Sequence, residues 1–169
     1  LPPMKIFVIT KGPDGKLRAE AGGDSAVLRP GEPVFVPEPA QAWVSAVAPA
    51  LRMARLGTSI KASNARRYYT SLGAMHIMKP TDDNADAAGL PPYMLDRAFS
   101  PGEWIDVSTK EPADTMTMEV SRSALNVGSP ESSQTSVFSL ETLGCDKAIE
   151  RLSHLLTFKT GDILVFADS

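Results

Sequence analysis

Apolar positions in this chain fall in short, strand-length runs separated by turn residues. Lys5-Ile-Phe-Val-Ile-Thr10 is a continuous apolar stretch and predicts a buried first strand. Gly12-Pro-Asp-Gly15 predicts a turn, since proline presets φ and Asp-Gly tolerates positive φ. Residues 17–20 can then pair back as a hairpin. Gly22-Gly23 and Arg29-Pro-Gly-Glu-Pro33 mark further turns, and Val34-Phe-Val36 reads as a short strand stopped by Pro37 and Pro39. The Ala/Val-rich stretch 42–53 cannot be one helix, because Pro49 lies inside it; strands on either side of the proline are expected.

A helix is expected over 61–71, with Gly73 just beyond its end. Met75-His-Ile-Met78 follows as a strand, and 81–88 fits one or two helical turns capped near Asp82. Trp104-Ile-Asp-Val107 and Met116-Thr-Met-Glu-Val120 both alternate, the signature of half-buried strands. The polar stretch 129–135 reads as a turn or a mobile segment. In 146–156 Ala148, Ile149, Leu152, Leu155 and Leu156 share one helical face, with Asp146 as the expected cap. Thr160-Gly-Asp162 turns into a buried strand, Ile163-Leu-Val-Phe166. Short strands interrupted by a few helices predict a mixed, β-rich α+β fold, a barrel or sandwich in preference to a doubly wound sheet.

Composition bounds this picture without changing it. A chain of 169 residues with 43% apolar content supports one domain with a sizeable core. The net charge of −3 argues against a nucleic-acid or anionic-membrane surface. No apolar run approaches the roughly 18 residues a membrane span needs. Residues 1–10 are too short for a signal peptide. The single cysteine, Cys145, rules out an internal disulfide and fits a reducing, cytoplasmic setting. The charge is segregated, however. Residues 39–81 hold no acid but carry Arg52, Arg55, Lys61, Arg66, Arg67 and Lys79, whereas residues 82–169 hold fifteen acids against six bases. Such a window is either a solvated face or a surface that meets an anion.

Most site chemistries fail on inspection. Two histidines and one cysteine, widely separated, give no zinc-ligand spacing. Asp82, Asn84 and Asp86 match the start of a calcium loop, but Ala87 stands where its glycine belongs and Tyr93 where its bidentate glutamate belongs. There is no nucleophile elbow and no phosphate-cradling glycine loop. Cys145 at a helix start lacks an identifiable histidine partner and reads as a core thiol. Arg66-Arg67-Tyr68-Tyr69 mixes bases with aromatics, but in an acidic chain the tyrosines are expected to pack and the arginines to form ion pairs.

Several segments in order resemble the fumarylacetoacetate hydrolase family. The most specific is Ala148-Ile-Glu-Arg-Leu-Ser-His-Leu-Leu-Thr-Phe-Lys-Thr-Gly-Asp-Ile-Leu-Val165, similar to the family's helix ending in Leu-Ser followed by its Gly-Asp turn into a buried strand. Met116 to Val127 resembles its strand pair. Asp96 with the later Pro101-Gly-Glu-Trp104 resembles its Phe-Asp…Pro-x-Gly-x-Trp stretch, and Arg52-Met-Ala-Arg-Leu-Gly57 resembles its strand ending in Ile-Gly. The resemblance spans 49–166, with 1–40 as preceding strands and turns of a single domain. It implies a mixed β-barrel or sheet with a few helices, a homodimer, and chemistry on small oxo-acids through a Mg²⁺-bound enolate.

The carboxylates that hold such a metal do not carry over. Alignment on Gly57 puts the family's Glu-x-Glu at Pro49 and Leu51, and its ligand Asp at Lys79; a slip of three or four residues would offer Asp82 or Asp83. The family's lysine falls on Tyr93 and its closing Thr-Gly-Thr-Pro on Phe166-Ala-Asp-Ser169; Asp96 alone is retained. Three readings follow. One is a member without Mg²⁺ catalysis and without a cofactor, binding a small carboxylate through Arg52, Arg55, Arg66 and Arg67. Another is an active hydrolase, decarboxylase or isomerase in which Asp82, Asp83 and the catalytic Asp96 converge on Mg²⁺. The last is a structural or assembly subunit.

Overall fold

The computed structural model describes residues 4–29, 31–33, 43–80, 93, 98–122 and 132–167. Among these residues there are eight strands and three short helices. The strands are β1 (Lys5–Lys11), β2 (Leu17–Gly23), β3 (Trp43–Met53), β4 (Tyr69–Pro80), β5 (Phe99–Asp106), β6 (Met116–Arg122), β7 (Ser132–Phe138) and β8 (Ile163–Phe166). The helices are α1 (Ala62–Ala65), α2 (Leu140–Leu143) and α3 (Cys145–Ser153). Six strands form one sheet in the order β2-β1-β8-β3-β4-β5, and β6 and β7 pair separately as a ribbon. No helix among the described residues is long and apolar enough to cross a membrane.

The central strands are buried on both faces, which explains their unbroken apolar runs. Phe7, Ile9, Leu51, Met53, Leu164 and Phe166 face a cluster shared with Ala148, Ile149 and Leu152 of α3. Their neighbours Ile6, Val8, Ala48, Ala50, Ile163 and Val165 face a second cluster with Met75, Ile77 and Phe99. The sheet curls around this second cluster. Val27, just past β2, bridges Phe99 of β5, and the Leu28 N–H donates to the Phe99 carbonyl at 2.8 Å. Gly22 permits the approach, since a Cβ there would stand 2.6 Å from the Phe99 ring. Among the described residues the two outer strands meet at this bridge only, so the curled sheet is β-rich and barrel-like without closing.

Four local expectations need correction. Pro49 does not split its segment, because β3 runs through it and pairs along its length with β4. The pairing to β8 begins one residue later, at Ala50, so the missing proline N–H leaves no gap there. The helix expected over 61–71 is one turn, α1, followed by a 3₁₀ turn at Arg66–Tyr68 and then by β4. Tyr69 and Leu72 are buried on that strand, and their packing overrides helical periodicity. The polar segment after residue 131 is a strand, β7, whose Ser, Thr and Gln residues pair with β6 from Met116↔Phe138 to Arg122↔Ser132. Asp146 does not cap α3; Gly144, left-handed at φ 72°, ends α2 and starts α3. The short strand expected at Val34–Val36 and the helical turns at 81–88 lie outside the described residues.

Candidate functional site

A cleft of about 660 Å³ lies between the β3–β4 end of the sheet and the β6–β7 ribbon. That volume is in the range of small-molecule sites. Alternation along β6 decides one wall: Met118, Val120 and Arg122 share a face, and all three line the cleft. Gln134, Ser136 and Phe138 do the same from β7. Val44, Val47 and Pro49 of β3 and Met78 and Lys79 of β4 also line it. Val44 and Lys79 are direct cross-strand partners.

The charge in this cleft is net positive among the described residues. Lys79 and Arg122 both line it, and Glu20 is the one carboxylate that does. Burial, and next the Arg122 guanidinium, hold the imidazole of His76 below its ordinary pKa. Burial, with Glu20 as a smaller cause, pushes the Tyr93 hydroxyl above its ordinary pKa.

Among the described residues, the cleft lining does not fit a hard cation. Mg²⁺ needs a shell of oxygen donors. Of the positions the resemblance assigns to ligands, Pro49 and Lys79 line the cleft, while Leu51 is fully buried in the core. Proline offers no side-chain donor, and an ammonium opposes the metal. Among the described residues no cluster of His, Cys, Asp or Glu could hold a metal ion. Asp82, Asp83 and Asp96 lie outside the described residues.

The four arginines singled out from the sequence do not gather at this cleft. Arg52 lies further along β3, with its guanidinium carbon 4.7 Å from the centre of the Trp104 ring and Nη2 donating to Ser71 Oγ at 3.4 Å. Arg66 donates to the Tyr69 carbonyl at 2.9 Å and to the Val107 carbonyl, tying the residues after β5 to the 3₁₀ turn. It bonds carbonyls where ion pairs were expected; the ion pair found among the described residues is Lys5–Asp162. Arg55 and Arg67 are exposed. None of the four lines the cleft. The cations that do are Lys79, which belongs to the acid-free window, and Arg122, which sequence reasoning passed over. The signal for Arg122 was present, because it continues the alternation of Met118 and Val120 by one more step.

Cys145 is fully buried, and burial, then Asp146, push its thiol up to about 12. The Tyr69 hydroxyl beside it donates to Asp146 Oδ1 at 3.0 Å and is raised by burial first. This cluster is core, as the sequence suggested.

No family model matches the chain, and no curated protein matches it. Solved structures do share the fold. A 5-carboxymethyl-2-hydroxymuconate delta-isomerase from Mycobacterium smegmatis superposes with TM-score 0.74 at 15% identity, over 98% of this chain and 67% of that one. A 2-hydroxyhepta-2,4-diene-1,7-dioate isomerase from Mycobacterium marinum gives 0.72 at 17%, over 95% and 62%. A protein assigned to the fumarylacetoacetate hydrolase family, from Yersinia pestis CO92, gives 0.74 at 13%, over 99% and 81%. At such identities the likeness establishes the fold, which is fumarylacetoacetate hydrolase-like. The chain spans about two thirds of the length of the two mycobacterial proteins.

Proposed function

We propose that this fumarylacetoacetate hydrolase-like chain binds a small carboxylate in the cleft between sheet and ribbon, and does so without a divalent cation. The observation that carries this reading is the lining itself, in which Lys79 and Arg122 are the two cations and, among the described residues, Glu20 is the one carboxylate. A guanidinium offers paired donors that match both oxygens of a carboxylate, and an ammonium in the lining adds a second positive charge. The apolar lining from Val44, Val47, Met78, Val120 and Phe138 favours a short carbon skeleton and strengthens both charge contacts by lowering the local dielectric.

The reading accounts for the acid-free window in a way the four arginines do not. The window contributes β3 and β4, one wall of the cleft, and acids on that wall would repel the ligand. Calorimetric titration with oxalate or pyruvate in EDTA tests it. Binding should persist in EDTA and weaken about tenfold or more in Arg122→Ala, the loss of a charge-assisted hydrogen bond. Binding that needs added Mg²⁺, or Mg²⁺-dependent turnover of an acylpyruvate abolished by Asp96→Ala, would establish the metal-dependent enzyme instead.

A further inference from the structure

We propose that His76 works with Arg122 as an anion-holding pair in the cleft, and that its ring takes up a proton when a carboxylate binds. This rests on the carboxylate reading above and adds to it a proton-coupled step and the residue that carries it.

Strand register places His76. Cross-strand partners share a face of a sheet, and so do residues two apart along a strand. His76 pairs with Val47, and Met78 with Ser45. These four share one face, and Ser45, Val47 and Met78 all line the cleft. Further along the same face Leu51 pairs with Leu72, and both pack in one cluster with Met116 of β6, against which Phe138 of β7 also packs. Met116 shares its side of the ribbon with Met118, Val120 and Arg122, which line the cleft. The side of the ribbon that carries Arg122 is thus the side turned to the His76 face. The ring is half-buried, and the Arg122 charge reaches it: after burial, it is the second cause that holds the imidazole below its ordinary pKa.

Among the described residues no negative group meets this pair. On the His76 face β3 presents Ser45, Val47 and Pro49, and β5 presents Ser100, the partner of His76. β6 presents Met118 and Val120 beside Arg122, and β7 presents Gln134, Ser136 and Phe138. The other charged groups of the lining belong to the opposite face. Lys79 follows Met78 and so sides with Ile77, and Glu20 pairs with Val8, which packs in the same cluster as Ile77.

A guanidinium beside a half-buried imidazole keeps the ring neutral. A carboxylate held by both reverses that balance, because it offsets the repulsion and accepts an N–H from the ring. The ring's pKa then rises on binding, and linkage requires affinity to rise as pH falls from the bound value toward the free one. The ligand class is a small carboxylate that stays ionised across that range.

Calorimetric titration with oxalate in EDTA at pH 8, 7 and 6 tests this, each run in two buffers of different ionisation enthalpy. Affinity should rise as pH falls, by up to about tenfold per unit, the limit for one coupled proton. The difference in heat between buffers should show proton uptake. His76→Gln, shown by its melting curve to be folded, should lose both effects, whereas His154→Gln, exposed and outside the cleft, should keep them. The chain has two histidines, so proton resonances of the unsubstituted protein give a second readout: one ring should titrate at higher pH with oxalate than without. Oxalate binding without proton uptake overturns the pairing and leaves the carboxylate reading standing. Uptake that persists in His76→Gln overturns it as well. A protein that binds no oxalate at any of the three pH values takes both down.

Discussion

Asp162 and Lys5, 157 residues apart in the chain, meet at the base of the paired strands β1 and β8. Asp162 is fully buried; its Oδ1 accepts the Lys5 backbone N–H at 2.9 Å, and its Oδ2 lies 2.9 Å from Lys5 Nζ. Oδ2 also accepts the Lys159 N–H at 2.8 Å, closing the turn before β8. The Gly-Asp pair is therefore a structural device that sets a parallel strand beside the first one. Asp162→Ala should cost about 3–5 kcal/mol, since it leaves two backbone donors and an ammonium without their acceptor. Lys5→Met keeps the backbone bond and removes a partly exposed charge, so about 1 kcal/mol is expected. Urea unfolding curves decide this; equal losses for the two variants would show that the carboxylate acts only through the ion pair.

His76 should make the fold sensitive to mild acid. Its folded pKa is held below the usual value of about 6.5, first by burial and then by Arg122. The unfolded chain therefore binds the proton more readily. The stabilisation from the neutral ring is fully present above the unfolded pKa and is lost as pH falls toward the folded one. The urea midpoint should drop between pH 7.5 and 5, and drop less in His76→Gln. Parallel pH profiles for the two proteins would count against the assignment.

Cys145 should be inert while the protein is folded. Its thiol is pushed up to about 12 and has no exposed surface. Iodoacetamide at neutral pH should leave it unmodified in buffer and label it fully in urea. Rapid labelling in buffer would mean that the start of α3 opens locally.

The curl of the sheet should depend on Gly22. A Cβ there would lie 2.6 Å from the Phe99 ring and 2.7 Å from the Tyr93 carbonyl, one of them backbone. Gly22→Ala should cost about 1–3 kcal/mol by overpacking. A thermal melt unchanged from wild type would mean that β2 and β5 are not pressed together there.

The sequence pattern carried further for the core than for the cleft. β1 and β8 were legible because strands buried on both faces leave uninterrupted apolar runs, and α3 because its buried residues recur at helical spacing. β7 was not, because Ser132-Ser-Gln-Thr-Ser136 has no apolar alternation of its own and is a strand only through its ladder to β6. The segment 61–71 misled because Tyr69 fits a helix face as well as a strand, and tertiary burial chose the strand.

Sequence by itself determined the β-rich class, the buried central strands, and the absence of carboxylates at Pro49 and Lys79, since each depends on residue type at a position or on local period. Only the tertiary structure decided which charges share a cavity. Arg52 and Arg66 belong to the acid-free window but spend their guanidinium groups on Trp104, Ser71 and backbone carbonyls. Lys79 and Arg122, 43 positions apart in the sequence, line one cleft to which both the sheet and the ribbon contribute. Local pattern cannot reach that far: it records which face a side chain takes on its own strand, and not which other strand that face will meet.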